Sequence, residues 1–155
     1  MNDSSTRKAL LFIEGCHDPA KLRQIATNAA RQGNEIVEHA ARLKLYASLP
    51  KEQPGTFEYD VWQSIYCLED NLALERGKTI RLSRTRQKIA RDGEHKAVAD
   101  LIMGKQAAGF DMLIERNMPD LTFEAVAIRH GHLFDAQVIE SARKRLDSAG
   151  APSLS

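Results

Sequence analysis

Seven of the sixteen residues from position 76 to position 91 are basic and none is acidic. The residues before this segment hold 8 basic and 11 acidic side chains, and those after it hold 7 and 10. The net charge along the chain therefore runs −3, +7, −3, and the overall value of +1 conceals a positive centre. We call residues 76–91 the basic segment; its cations are Arg76, Lys78, Arg81, Arg84, Arg86, Lys88 and Arg91.

The chemistry that suits such a segment is the binding of phosphate. Neutralising the phosphates of a nucleic acid releases condensed counterions, which favours binding to closely spaced cations. Five of the seven cations are arginines, whose planar guanidinium fits phosphate oxygens or the edge of guanine. We therefore expect a nucleic-acid partner, DNA rather than RNA, bound mainly through its backbone.

Two alternatives explain the same charges without a nucleic acid. The cations could pair with carboxylates inside the fold, and the nearest candidates in the chain are Glu69, Asp70, Glu75, Asp92 and Glu94. The basic stripe could also dock an acidic surface of a protein partner or of a second copy of the chain. The second alternative describes a helical interaction module or self-associating adaptor.

The segment does not fit a standard helix-turn-helix. That motif places a turn glycine four positions after a small residue of its first helix. Here Ala90 precedes Gly93 by three positions, and Asp100 stands where the second helix requires an apolar residue. If the chain binds DNA, we expect it to use a different geometry.

The histidines are the other side chains that could bind a metal ion or take part in acid-base chemistry. His130 and His132 lie two residues apart, and Asp111, Glu115 or Asp135 could join them as metal ligands. Because no third ligand is evident from the spacing, a structural role is favoured over a metal site. An enzyme that uses these histidines is a third, less favoured reading; we expect no cofactor and no catalytic residue.

The remaining composition is that of an ordinary globular protein. Hydrophobic residues make up 43% of the chain and charged residues 28%. Cys16 and Cys67 are far apart and form no disulfide framework, which favours a reducing, cytoplasmic setting. The apolar run Ala9–Ile13 is too short for a signal peptide or a membrane span, so we expect no membrane partner.

The elements that carry these residues are predicted to be helical throughout. Asp18 followed by Pro19 begins a helix, Gly33 ends it and Asn34 begins the next, so residues 18–48 predict a helical hairpin. Two prolines and a glycine within residues 49–56 mark a boundary. The apolar residues of 58–76 predict a central helix, and Ser83 and Gly93 predict the cap and the end of a basic helix over 83–92.

The predicted architecture is a compact all-α fold of seven to nine helices. We expect an N-terminal helical subdomain at 1–50, a C-terminal helical subdomain at 57–150 and a polar tail at 151–155. Its function is predicted to be non-catalytic: an accessory or regulatory protein that contacts nucleic-acid phosphates through Arg81, Arg84, Lys88 and Arg91. Arg76, Lys78 and Arg86 are expected to assist.

Overall fold

The computed structural model describes residues 3–151, and the last four residues of the predicted tail lie outside that range. Within it the chain forms nine α-helices and two short 3-10 helices, with no strand, which confirms the all-α prediction. The chain divides into two compact units, Met1–Pro50 and Lys51–Ser155. Each unit has its own helices and its own core, and each is described separately.

The first unit contains three helices: α1 (Asp3–Glu14), α2 (Pro19–Arg31) and α3 (Glu35–Ser48). Helix α2 begins where predicted, because the Asp18 side chain accepts a hydrogen bond from the backbone N–H of Ala20. Asn34 caps α3 in the same way through the N–H of Val37. The predicted hairpin is therefore present, and α1 packs against α3 beside it.

The second unit contains the remaining six α-helices. They are α4 (Phe57–Arg76), α5 (Ser83–Asp92), α6 (Glu94–Met103), α7 (Ala108–Glu115), α8 (Phe123–Arg129) and α9 (Ala136–Ser148). The 3-10 helices Pro119–Leu121 and Gly131–Leu133 lie on either side of α8. Helix α4 begins one residue before the prediction, where the Thr56 hydroxyl accepts from the N–H of Tyr59.

The core of the second unit lies around α4, which packs against α6, α7 and α8. Val61 and Ile65 of α4 are completely buried, as are Val126 of α8 and Ala142 of α9. Ile89 of α5 joins the same hydrophobic cluster, at 8% exposure. The basic helix is thus fixed to the core by a single apolar side chain, with Leu82 packing partly against the cluster from the preceding turn.

Glycines set both ends of the basic segment. Gly77 has φ 69° and its N–H donates to Ala73 O, which ends α4 in the left-handed conformation that glycine adopts without strain. Gly93, with φ 89°, ends α5 and alone separates it from α6. A helix-turn-helix needs a turn of three to four residues, so the α5–α6 junction is not that motif.

The prediction that Ser83 caps α5 is wrong. The capping position is Leu82, which has no side-chain acceptor, and Ser83 is the first residue of the helix. The N–H of Leu82 is bound instead by a side chain of α4, the Glu69 carboxylate at 2.8 Å. The helix itself spans 83–92 as predicted, and only the residue at its cap differs from the prediction.

Candidate nucleic-acid interface

Arg86 of α5 points into the second unit. Its Nε and Nη2 each lie 2.7 Å from an oxygen of Glu69, an arrangement that binds the carboxylate through two parallel hydrogen bonds. The guanidinium carbon also lies 5.2 Å from the ring centroid of Trp62 and 5.6 Å from that of Tyr66. The guanidinium predicted to assist in phosphate binding is therefore already occupied within the fold.

The Glu69 carboxylate is the acceptor that organises this contact. Burial by itself would raise the pKa of Glu69, but the hydrogen bonds from Arg86 and from the Leu82 N–H lower it, as do the charges of Arg86 and Arg81. The net effect holds the pKa below its usual value. Glu69 therefore stays ionised and joins α4 both to the start of α5 and to its first turns.

Lys88 and Arg91 also have carboxylate partners. Lys88 Nζ lies 2.8 Å from Asp100 Oδ2 of α6, and Lys96 shares that oxygen at 3.4 Å. Arg91 Nη2 lies 3.1 Å from Oδ2 of Asp92, its neighbour in the chain, although the Arg91 side chain remains 67% exposed. Both ion pairs reduce the positive charge that the outer face of α5 can present.

The other four cations of the basic segment are exposed and precede or begin α5. They are Arg76, Lys78, Arg81 and Arg84. Among residues 3–151, no carboxylate forms an ion pair with any of these four. We call this set the free cations; all four fall within nine positions of the chain, 76–84.

Unbonded backbone groups lie beside the free cations. The first backbone bond of α5 runs from the Arg86 N–H to Leu82 O, at 2.9 Å. The N–H groups of Ser83, Arg84 and Thr85 consequently have no acceptor within the described part of the chain. Such groups at a helix N-terminus favour an anion, in addition to the charge of the side chains.

The two histidines of the predicted pair have different surroundings in the structure. His130 Nε2 lies 2.8 Å from Asp60 Oδ2 of α4, and the ring of Phe57 packs edge-on against it at 5.4 Å. His132 is exposed and has no part in this contact. No group of three or more His, Cys, Asp or Glu side chains within residues 3–151 could hold a metal ion.

Cys67 of α4 is expected to be an unreactive thiol. Burial chiefly, and the charge of Asp70, raise the pKa of Cys67 to about 12, against the lowering effects of Asn71 and Arg116. Because the thiolate is the reactive species, a disulfide reagent should modify Cys67 only as fast as the protein opens. Measuring the labelling rate of the Cys16→Ser variant with and without urea checks this; rapid labelling of the native protein would contradict it.

Comparison of the chain with protein-family models, curated proteins and solved structures gave no match. None of the helices in residues 3–151 is long and apolar enough to cross a membrane. The fold and the site describe an all-α protein whose second unit exposes four free cations between the end of α4 and the first turn of α5.

Proposed function

We propose that this protein binds nucleic acid, preferentially double-stranded DNA, and acts as a non-catalytic accessory or regulatory factor. The contacts are made to phosphates by Arg76, Lys78, Arg81 and Arg84, together with the open N-terminus of α5. The observation that carries the proposal is the absence of ion pairs at these four cations within residues 3–151, although acidic residues neutralise their neighbours.

The ion pairs within the basic segment narrow the proposed site. A cation that already binds a carboxylate must give up that partner before it can bind phosphate, so it adds less to affinity. Arg86 is bound by Glu69 on one side and by aromatic rings on the other. The proposed contacts therefore lie at residues 76–84, and Lys88 and Arg91 contribute less than their positions on α5 suggest.

The test is the salt dependence of DNA binding by the full chain. Fluorescence anisotropy of a short labelled duplex is followed from about 50 mM to about 200 mM salt for the wild type and for Arg81→Gln/Arg84→Gln. Each lost phosphate contact on duplex DNA lowers the slope of log affinity against log salt by about 0.9, so the double variant should lose about 2. A labelled single-stranded RNA measured in parallel tests the preference for DNA.

Two variants with the same change of charge serve as controls. Lys88→Gln/Arg91→Gln removes two paired cations of the same segment, and Arg143→Gln/Lys144→Gln removes two exposed cations of α9. Both should change the slope by less than the Arg81/Arg84 variant. Equal losses for all three variants would contradict a localised site, and no binding by the folded wild type at about 50 mM salt would overturn the proposal and favour the protein-interaction alternative.

A further inference from the structure

A partly open cavity of about 160 Å³ lies in the second unit, and none of the four free cations lines it. All six α-helices of the second unit contribute residues to its lining, with Thr85 from α5. Leu82, just before α5, and residues of the loop between α6 and α7 also line it. Most of its wall is apolar, formed by Leu68, Leu72, Leu82, Phe110, Leu113 and Phe123. An apolar wall with a few polar groups is the usual composition of a small-molecule site.

The volume limits what the cavity can hold. An engineered apolar cavity of about 150 Å³ in another protein binds benzene, whereas sites for drug-sized ligands begin at about 300 Å³. The cavity described here therefore fits one aromatic ring or a short alkyl chain. A polar group attached to that body would extend toward the opening.

Two charged side chains in the wall already satisfy each other. Arg145 Nη1 lies 2.8 Å from Glu124 Oε2 and 3.3 Å from Leu101 O, and Nη2 donates to Gly104 O. Glu124 is only 5% exposed, so its charge is balanced by Arg145 rather than by solvent. This carboxylate does not require a cationic ligand.

The wall also holds polar groups that have no partner. Lys105 is exposed, and neither its ammonium nor the hydroxyl of Thr85 has a hydrogen-bond or ion-pair partner within residues 3–151. The lining contains two cationic side chains, Lys105 and Arg145, and one anionic side chain, Glu124, so its net charge is +1. An anionic group complements this lining, and a cationic group would meet repulsion from Lys105.

We propose that the cavity binds a small organic acid, in which an apolar body of about the size of benzene carries a carboxylate. The body lies among the leucine and phenylalanine side chains, and the carboxylate pairs with Lys105 and accepts a hydrogen bond from Thr85. The cavity borders the start of α5, where Leu82 and Thr85 follow Arg81 and Arg84 in the chain, but none of the four free cations lines it. Its test contains no nucleic acid, so the outcome does not depend on the function proposed above.

The test compares three probes of one shape: benzoate, benzyl alcohol and benzylamine. Each is titrated into the full ¹⁵N-labelled chain, and binding is followed by chemical-shift changes of backbone amides. Benzoate should give saturable shifts at residues 105–113 and around Thr85, benzyl alcohol should bind more weakly, and benzylamine most weakly. Lys105→Gln should weaken benzoate about two- to fivefold, the range of an exposed ion pair, without changing benzyl alcohol.

Two further variants keep the test decisive. Lys51→Gln removes an exposed lysine of the same unit that lies outside the cavity, and it should leave all three affinities unchanged. Ala107→Trp places a large ring at an exposed position of the lining and should abolish binding of every probe while the protein stays folded. Absence of saturable shifts, equal binding of benzylamine and benzoate, or unchanged binding by Ala107→Trp would each overturn the proposal.

Discussion

Replacement of Arg145 by methionine is expected to lower the free energy of unfolding by about 3–5 kcal/mol. The Arg145 side chain is 14% exposed and that of its partner Glu124 is 6% exposed, so the variant leaves a buried carboxylate without a counterion. It also removes the donor that binds Leu101 O and Gly104 O at the end of α6. Urea unfolding followed by circular dichroism measures the loss.

Two comparisons separate the lost charge from the lost packing. Arg143→Met makes the same substitution at an exposed position of α9 and should change the free energy of unfolding by less than about 0.5 kcal/mol. Glu124→Gln/Arg145→Met removes the stranded charge and should recover part of the stability, because an uncharged pair costs less to bury. A loss for Arg145→Met no larger than that for Arg143→Met would show that the ion pair contributes nothing.

Several helix ends could be predicted from the sequence because local chemistry sets them. Asp18 and Asn34 each cap a helix through their own side chain, and Gly77 ends α4 with a backbone conformation that few other residues adopt. Ser83 was predicted in the same way and proved wrong, since a carboxylate from α4 binds the preceding N–H. A distant residue can take the place of a local cap, and sequence spacing does not reveal it.

The ion-pair partner of a charged side chain depends on which helices pack together. Only some of these partners could therefore be predicted from the sequence. Glu69 and Asp92 were among the carboxylates considered for the basic segment, and both bind its arginines. Asp100, the partner of Lys88, lies on the following helix, so this ion pair depends on how α5 and α6 pack. Asp60, the partner of His130, is 70 positions distant in the chain, and no sequence spacing indicates the contact.

All four free cations lie within the basic segment predicted from the sequence. Which cations of that segment form ion pairs, and which do not, could not be predicted. Helical spacing grouped Arg84 with Lys88 and Arg91 on one face of α5. The packing of α6 supplies a carboxylate to Lys88, whereas Glu69 of α4 binds Arg86 and the Leu82 N–H but forms no ion pair with Arg81 or Arg84. The candidate site accordingly moves from the outer face of the helix to its N-terminal end.

Glu69→Gln is expected to lower the free energy of unfolding by about 2–3 kcal/mol near neutral pH. The amide matches the carboxylate in shape but leaves the Arg86 guanidinium, whose side chain is 19% exposed, without its counterion. Glu140→Gln is the matched control, because Glu140 is exposed in the middle of α9 and has no ion pair within residues 3–151. Urea unfolding of the three proteins gives the difference directly.

The difference in free energy of unfolding between the wild type and Glu69→Gln should depend on pH if the charge of Glu69 causes it. The folded state holds the pKa of Glu69 below its value in the unfolded chain, about 4.3, so the unfolded state binds the proton more readily. The stabilisation is therefore fully present above about pH 5 and is lost as the pH falls through the folded-state pKa. The gap between wild type and Glu69→Gln should stay constant from about pH 7 to about pH 5 and narrow below about pH 4. A gap that persists unchanged in acid would mean that packing, and not the ionised carboxylate, joins α4 to the basic helix.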